Sequence, residues 1–322
     1  MTILLKSPPT PQVLNDLGKY GKLRNLMLEL NAVMGQAGDS QLPLIRALPF
    51  VAAANPDAER KAGPVNPPGV DNFAGDLSTS DLDAMEVTNY GFNNRTIPYD
   101  GSGVYVAVPG AGLVENWPSC FPLEKIAVQN AASFGGGEMG TVSTQPNKWG
   151  HDRNSHGTHA TSSILGYSLR GAPVNGVAPK ATVIPVKVLG QSGRGWSSVI
   201  AHGVVYIANL RQGPPASSPG VINMSLGGLE PDAVEKAAID DAISKGAIVV
   251  ASAGNEGDAG MGYLSPAAPG PARIWTSPRP APGWWVLARA MARSAITSWE
   301  ARRWPRRMSP DWSRSWRGRR LR

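Results

Sequence analysis

Hydrophobic positions divide this chain into stretches of different period. Leu14, Leu17, Leu23, Leu26, Leu28 and Leu30 predict a partly amphipathic helix over Leu14 to Asn31. A shorter helix is expected at Leu42 to Leu48, leading into Phe50-Val51-Ala52. Lys61 to Phe73 breaks the pattern, with Pro64, Pro67 and Pro68 set among Gly and Asn, the composition of an exposed linker. From Gly101 onward short apolar runs of strand length take over: Gly103 to Val108, Thr182 to Leu189, Val221 to Met224 and Ala247 to Ala251. Helices are expected at Ser197 to Leu210 and Pro231 to Lys245, the second with Pro in its first turn and Gly246 as its stop. Its apolar stripe is Ala233, Ala237, Ile239, Ala242 and Ile243. Continuous apolar strands alternating with helices predict an α/β fold with a parallel sheet buried on both faces. Working groups in such sheets gather at the carboxyl ends of strands.

After about Leu264 no period survives. This stretch holds seven of the ten Trp and many Pro and Arg, but no Lys, Asn, Gln, His, Phe or Tyr. It also splits the charge. Ser265 to Arg322 carries 13 Arg against Glu300 and Asp311, a net +11, so the overall +7 leaves the first 264 residues at −4. A basic tail is a candidate nucleic-acid arm, but that reading rests on the tail alone. Arg, Ala, Pro, Trp, Ser and Gly are also what GC-rich DNA encodes out of frame, and a frameshift near Gly262 to Ser265 is the expectation adopted here.

Length changes the picture little: 322 residues suffice for a large domain with its own core. Apolar content of 42% and charged content of 17% are ordinary for a globular protein. No apolar run reaches membrane-spanning length. The start, MTILLK, is too short for the apolar stretch of an export signal, so none is expected there. Cys120 is the single cysteine and has no intrachain partner for a disulfide.

Three motifs carry chemistry. Asn154 to Gly166 reads NSHGTHATSSILG, which puts His156 at the start of a helix among small residues. A rigidly held imidazole suits proton transfer near neutral pH; His159, one turn further in, reads as a packed structural residue. Val221 to Gly228 reads VINMSLGG, a strand running into Ser225, Leu226 and Gly227, where Gly permits close backbone approach. Ala247 to Gly257 reads AIVVASAGNEG and carries Asn255, whose side-chain amide can donate to a developing oxyanion.

In this order the motifs resemble the subtilisin-like serine peptidases (subtilases), across residues 101–264. Gly176 to Ala181, GVAPKA, is similar to a further stretch of that family. The resemblance implies a subtilisin-like parallel β-sheet with flanking helices and a serine-type endopeptidase that acts on polypeptides. It implies His156 as general base, Asn255 in the oxyanion hole, and Ser225, Leu226 and Gly227 as the substrate-binding strand. It requires no cofactor for the chemistry; structural calcium would be in keeping with the family, but no ligands are assigned. Trp149 to Asp152, ahead of the His motif, reads either as a gate or as a packed Trp. The family is extracellular by default.

The chain departs from the family at two points. A VAVLDTGL-like stretch is expected at the end of the first strand, and the chain reads Val106-Ala107-Val108-Pro109-Gly110-Ala111-Gly112-Leu113, so Gly110 occupies the aspartate position. Asp152, four residues before His156 on the same loop, is not expected to replace it. The nucleophilic serine is absent as well, since no Gly-Thr-Ser follows Asn255. No peptidase activity is therefore expected of this chain, and a non-catalytic peptide-binding relative is the alternative.

Residues 1–60 are compatible with an inhibitory propeptide, with Ile45 to Val51 resembling that family's helix-then-strand stretch; an unrelated small α+β module is the other reading. The expected organisation is 1–60 propeptide-like, 61–100 linker and lead-in, 101–264 partial peptidase domain and 265–322 an aberrant, unstructured tail. Partners implied are a polypeptide substrate and the chain's own propeptide, with neither membrane nor nucleic acid. Resequencing the coding DNA tests the frameshift: the restored frame should encode Gly-Thr-Ser downstream, and an uninterrupted reading of the present tail would exclude it.

Overall fold

The computed structural model describes residues 1–62, 82, 87, 95–169, 172–211, 220–228 and 230–252. The N-terminal part opens with β1 (Thr2–Leu5), α1 (Pro11–Gly18), β2 (Lys22–Met27), β3 (Ala32–Gln36), α2 (Leu42–Arg46) and β4 (Val51–Asn55). Its four strands form an antiparallel sheet in the order β2-β3-β1-β4. The helix expected over Leu14 to Asn31 is corrected here. It stops at Gly18, and Lys22–Met27 is a strand whose exposure alternates along its length. The leucine spacing misleads because Gly18 and Gly21 break the helix, and a Cβ at Gly21 would collide with the carbonyl of Gln36 on β3. The expected helix at Leu42 to Leu48 forms as α2, anchored by buried Leu42 and Ile45.

The larger part is built on a six-stranded sheet. Its strands are β6 (Tyr105–Gly110), β7 (Ala132–Gly136), β8 (Val142–Thr144), β11 (Thr182–Lys187), β13 (Val221–Met224) and β15 (Ile248–Ala251). The order is β15-β13-β6-β11-β7-β8, parallel throughout except for the antiparallel edge β8. All four apolar runs read as strands lie side by side in it, as β15-β13-β6-β11. A separate hairpin pairs β9 (Gly166–Leu169) with β10 (Ala172–Asn175).

The runs are continuously apolar because both faces of the sheet are covered. Val106, Val108, Val183, Val221, Ile248 and Val250 face one side and pack with Ala160, Ile164 and Leu165 of α3 (His156–Leu165). Ala107, Ile184, Ile222 and Val249 face the other and pack with α4 (Ser197–Leu210) and α5 (Ala233–Ser244). The N-terminal sheet joins this second layer. Its Ala32 and Met34 are fully buried in the same cluster as α4 and α5, while Ile3, Val33 and Ile45 form a small core of their own.

Polar groups fix this docking at the starts of the two helices. Asp232 caps α5 by accepting from the amides of Val234 and Glu235, each at 2.9 Å. Its other oxygen accepts from the hydroxyl of Thr2 at 2.6 Å. Asp57 does the same for α4 from outside the helix, accepting from the Ser198 amide and the Ser197 hydroxyl, each at 2.9 Å. Burial pushes the Asp57 carboxyl up and the Ser198 bonds pull it down; both acids sit where helix dipoles favour negative charge.

The last sheet joins the two parts. β5 (Glu59–Ala62) lies between β12 (Arg194–Trp196) and β14 (Leu226–Gly227), antiparallel to both. The boundary expected between residues 60 and 61 thus falls inside a strand. Replacing Asp232 with Ala removes a cap and strands the buried Thr2 hydroxyl, at a cost of about 2–3 kcal/mol. Urea denaturation should show a lower midpoint with an unchanged slope, and limited proteolysis should release the N-terminal part first.

Candidate active site and peptide cleft

The site lies at the carboxyl ends of β6, β11 and β13, where the parallel sheet delivers its loops. His156 opens α3 directly after Ser155, which adopts φ 64°, a left-handed conformation uncommon for a residue other than Gly. Asp152 holds that turn, its Oδ2 accepting from the Ser155 amide at 2.8 Å. The helix then approaches the end of β6 so closely that a Cβ on Gly157 would collide with the carbonyl of Gly112. The Thr158 hydroxyl accepts from the Val114 amide at 2.9 Å and closes the junction.

His156 is 6% exposed, and its Nδ1 is buried without a hydrogen-bond partner among the described residues. Facing it is Gly110, the last residue of β6. A Cβ built on Gly110 would stand 3.7 Å from Nδ1 and 3.9 Å from the Cα of Gly157, ordinary contact distances. The backbone therefore has room for a side chain directed at the imidazole, and Gly leaves that nitrogen orphaned. A backbone group of Ser225 serves the ring from the other direction. Burial, then the neighbouring His159, lowers the His156 pKa from 6.5 to about 4, against the opposing pull of Asp152 and Ser225. The ring is neutral at physiological pH. Because the folded value lies below the ordinary one, its contribution to stability is complete above about 6.5 and is lost as pH falls through about 4.

Asp152 is committed elsewhere, as expected from its position. It is buried, and its Oδ1 meets Lys187 Nζ at 3.2 Å. Lys187 Nζ also donates to the carbonyl of Ala111, next to Gly110. Burial lowers the Lys187 pKa and Asp152 raises it again. Lys187 was not singled out from the sequence, although a lysine inside the apolar run Thr182 to Leu189 was the available signal: a buried lysine needs a partner.

Leu226 and Gly227, directly after Ser225, form the strand that pairs with β5. Leu226 pairs with Ala62 and Gly227 with Lys61 on one side, and Arg194 pairs with Lys61 and Gly195 with Arg60 on the other. The Ser225 hydroxyl accepts from Asn223 Nδ2 at 3.1 Å. His156, Gly110 and the Ser225 strand are thus brought together, whereas Asn255, the proposed frameshift and the Arg-rich tail lie outside the described residues. Trp149 packs on Trp117 with ring centroids 5.7 Å apart. Among the described residues no group of three or more His, Cys, Asp or Glu could hold a metal ion, so no calcium ligand is assigned. Among the same residues no helix is long and apolar enough to cross a membrane.

The model of the subtilase family, Peptidase_S8, matches residues 89–300, more than half of the chain. The chain belongs to the subtilase family. It is 37% identical over 163 residues to Subtilisin BL of Lederbergia lenta, covering 51% of this chain and 52% of that protein. It is 36% identical over 162 residues to Subtilisin E of Bacillus subtilis (strain 168), covering 50% of this chain and 37% of that protein. This subtilase chain thus spans about half or less of the length of these relatives. The crystal structure of fervidolysin from Fervidobacterium pennivorans, a keratinolytic enzyme related to subtilisin, shares the fold. Its TM-score is 0.54 at 20% identity, over 79% of this chain and 40% of that one. The family match runs past Leu264 into the Arg- and Trp-rich segment.

Replacing Gly110 with Asp should place a carboxylate against the orphaned Nδ1. The His156 pKa should then rise from about 4 by roughly 1–3 units. An imidazole titration followed by NMR reads this directly, and an unchanged midpoint would show that the two positions do not communicate.

Proposed function

We propose that this chain is a subtilisin-type serine endopeptidase by descent that binds extended polypeptide in its cleft without hydrolysing it. The observation that carries the reading is the buried, unpartnered Nδ1 of His156 opposite Gly110. In Ser-His-Asp chemistry a carboxylate at that nitrogen holds the ring in the right tautomer and balances the imidazolium charge. Here His156 has the place of the general base, and among the described residues no carboxylate meets its Nδ1. Asn255 would be the oxyanion donor, and residues 256–322 hold no Gly-Thr-Ser. A general base that no carboxylate orients is a poor acceptor for a nucleophile's proton.

Binding is supported by the other half of the site. β5 lies in the cleft as an extended peptide does, paired through main chain on both edges. Residues 1–62 are therefore assigned as a propeptide-like inhibitory module whose end fills the substrate-binding strands beside Ser225, Leu226 and Gly227. The α+β architecture of the first 55 residues and its seat on α4 and α5 support the same assignment. An extracellular site of action follows from the family reading alone.

The purified chain should leave casein intact, take no label from a fluorophosphonate and remain full length on prolonged incubation. Casein hydrolysis that disappears in His156→Ala would overturn this reading.

A further inference from the structure

Arg60, on the strand that fills the cleft, is 1% exposed. Its backbone pairs with Gly195, and its side chain passes over Gly228 into the body of the protein. There Nε donates to Glu235 Oε2 at 2.8 Å and Nη2 lies 2.8 Å from the same oxygen. Nη1 turns back to the carbonyl of Glu59 at 3.3 Å. Gly228 forms the wall of this slot: a Cβ there would stand 2.7 Å from the Glu59 carbonyl, 2.8 Å from Nη1 and 3.0 Å from the Arg60 Cδ. Glu235 belongs to the first turn of α5, where its neighbours Val234, Ala238 and Ile239 are buried apolar residues.

A carboxylate in such surroundings is costly unless a cation meets it. Burial drives the Glu235 carboxyl up, Arg60 pulls it down and the nearby Asp232 and Asp57 push it up, which together leave it raised to about 7. The acid is supplied by the peptidase body and the cation by the strand in the cleft. Any other extended peptide entering the same strands in place of β5 meets the same acid at the same register. We infer that Glu235 and Gly228 form a side-chain pocket that selects arginine in polypeptides bound to this cleft, two residues before the position paired with Leu226. A guanidinium fits because two of its N–H groups converge on one carboxylate oxygen while the third nitrogen reaches backbone; an ammonium offers one nitrogen for all of these partners. This inference rests on the proposal that β5 occupies the peptide cleft.

The test uses the full chain carrying Arg60→Ala, which empties the pocket and weakens the resident strand. The probes are fluorescein-labelled peptides Ala-Glu-Arg-Lys-Ala and its norleucine counterpart at the Arg position, with binding read by anisotropy. The Arg peptide should bind at least about tenfold more tightly. That preference should vanish when Glu235→Leu is added. If Arg60→Ala does not fold, Arg60→Lys carries the same comparison. Equal binding of the two peptides, or binding of neither, overturns the pocket. Amide exchange of Lys61 and Ala62 in the unmodified chain then separates the two levels. Slow exchange alongside failed selection rejects the pocket alone, and unprotected amides reject occupancy of the cleft as well.

Discussion

The geometry of the site depends on the buried pair between Asp152 and Lys187. Three pieces of backbone meet there: the end of β6 through the Ala111 carbonyl, the end of β11 through Lys187 itself, and the turn into α3 through the Ser155 amide. Each hydrogen bond alone contributes little net stability, and a buried ion pair often adds none over an apolar substitute. What the pair contributes is position. It ties the residue after Gly110 and the residue before His156 to one centre, so the imidazole stays aimed at the strand end even though nothing there receives its Nδ1. The arrangement tolerates glycine at this position because residue 110 contributes only its backbone, the carbonyl accepting from the amides of Val188 and Leu189.

A second set of acids, Asp232 and Glu235 buried and Asp57 half-buried, organises the seam between the N-terminal module and the body. Asp57 and Asp232 occupy the starts of α4 and α5, and Glu235 receives Arg60 one turn further along. Anions at helix starts gain from the dipole and satisfy amides that lack intrahelical partners. One of these acids is contributed by the module and two by the body, and each reaches across or holds a group from the other side. The apolar contact beneath them, through Ala32 and Met34, supplies area; the acids supply register.

The parallel sheet could be read from sequence because burial on both faces writes an unbroken apolar run for each strand, and Val221–Met224 was delimited to the residue. His156 was equally visible, since a histidine at a helix start followed by Gly and Thr combines a titratable ring with the small neighbours that close approach demands. The antiparallel module was harder. Its strands are half exposed, so Lys22–Met27 lost its alternation to leucines that also satisfy a helical spacing. Lys187 and Glu235 were missed for a shared reason. Lys187 is one charged residue inside an apolar run and Glu235 is one of several on its helix, and the partner that makes each tolerable when buried comes from 35 or 175 positions away. β5 straddles the expected boundary between the propeptide-like region and the linker, and it leaves no run of its own because its partners are short strands contributed by later loops.

Gly228 shows how narrowly the cleft is defined. The missing methyl group at that residue is the space through which the Arg60 stem enters the interior, bounded by the carbonyl of Glu59 just before it. A chain differing there by a single alanine would keep its acid but press on the main chain of any strand laid above it and seal the acid from that strand's side chain. Divergence in what such a groove accepts can therefore arise from a residue that makes no hydrogen bond to its guest.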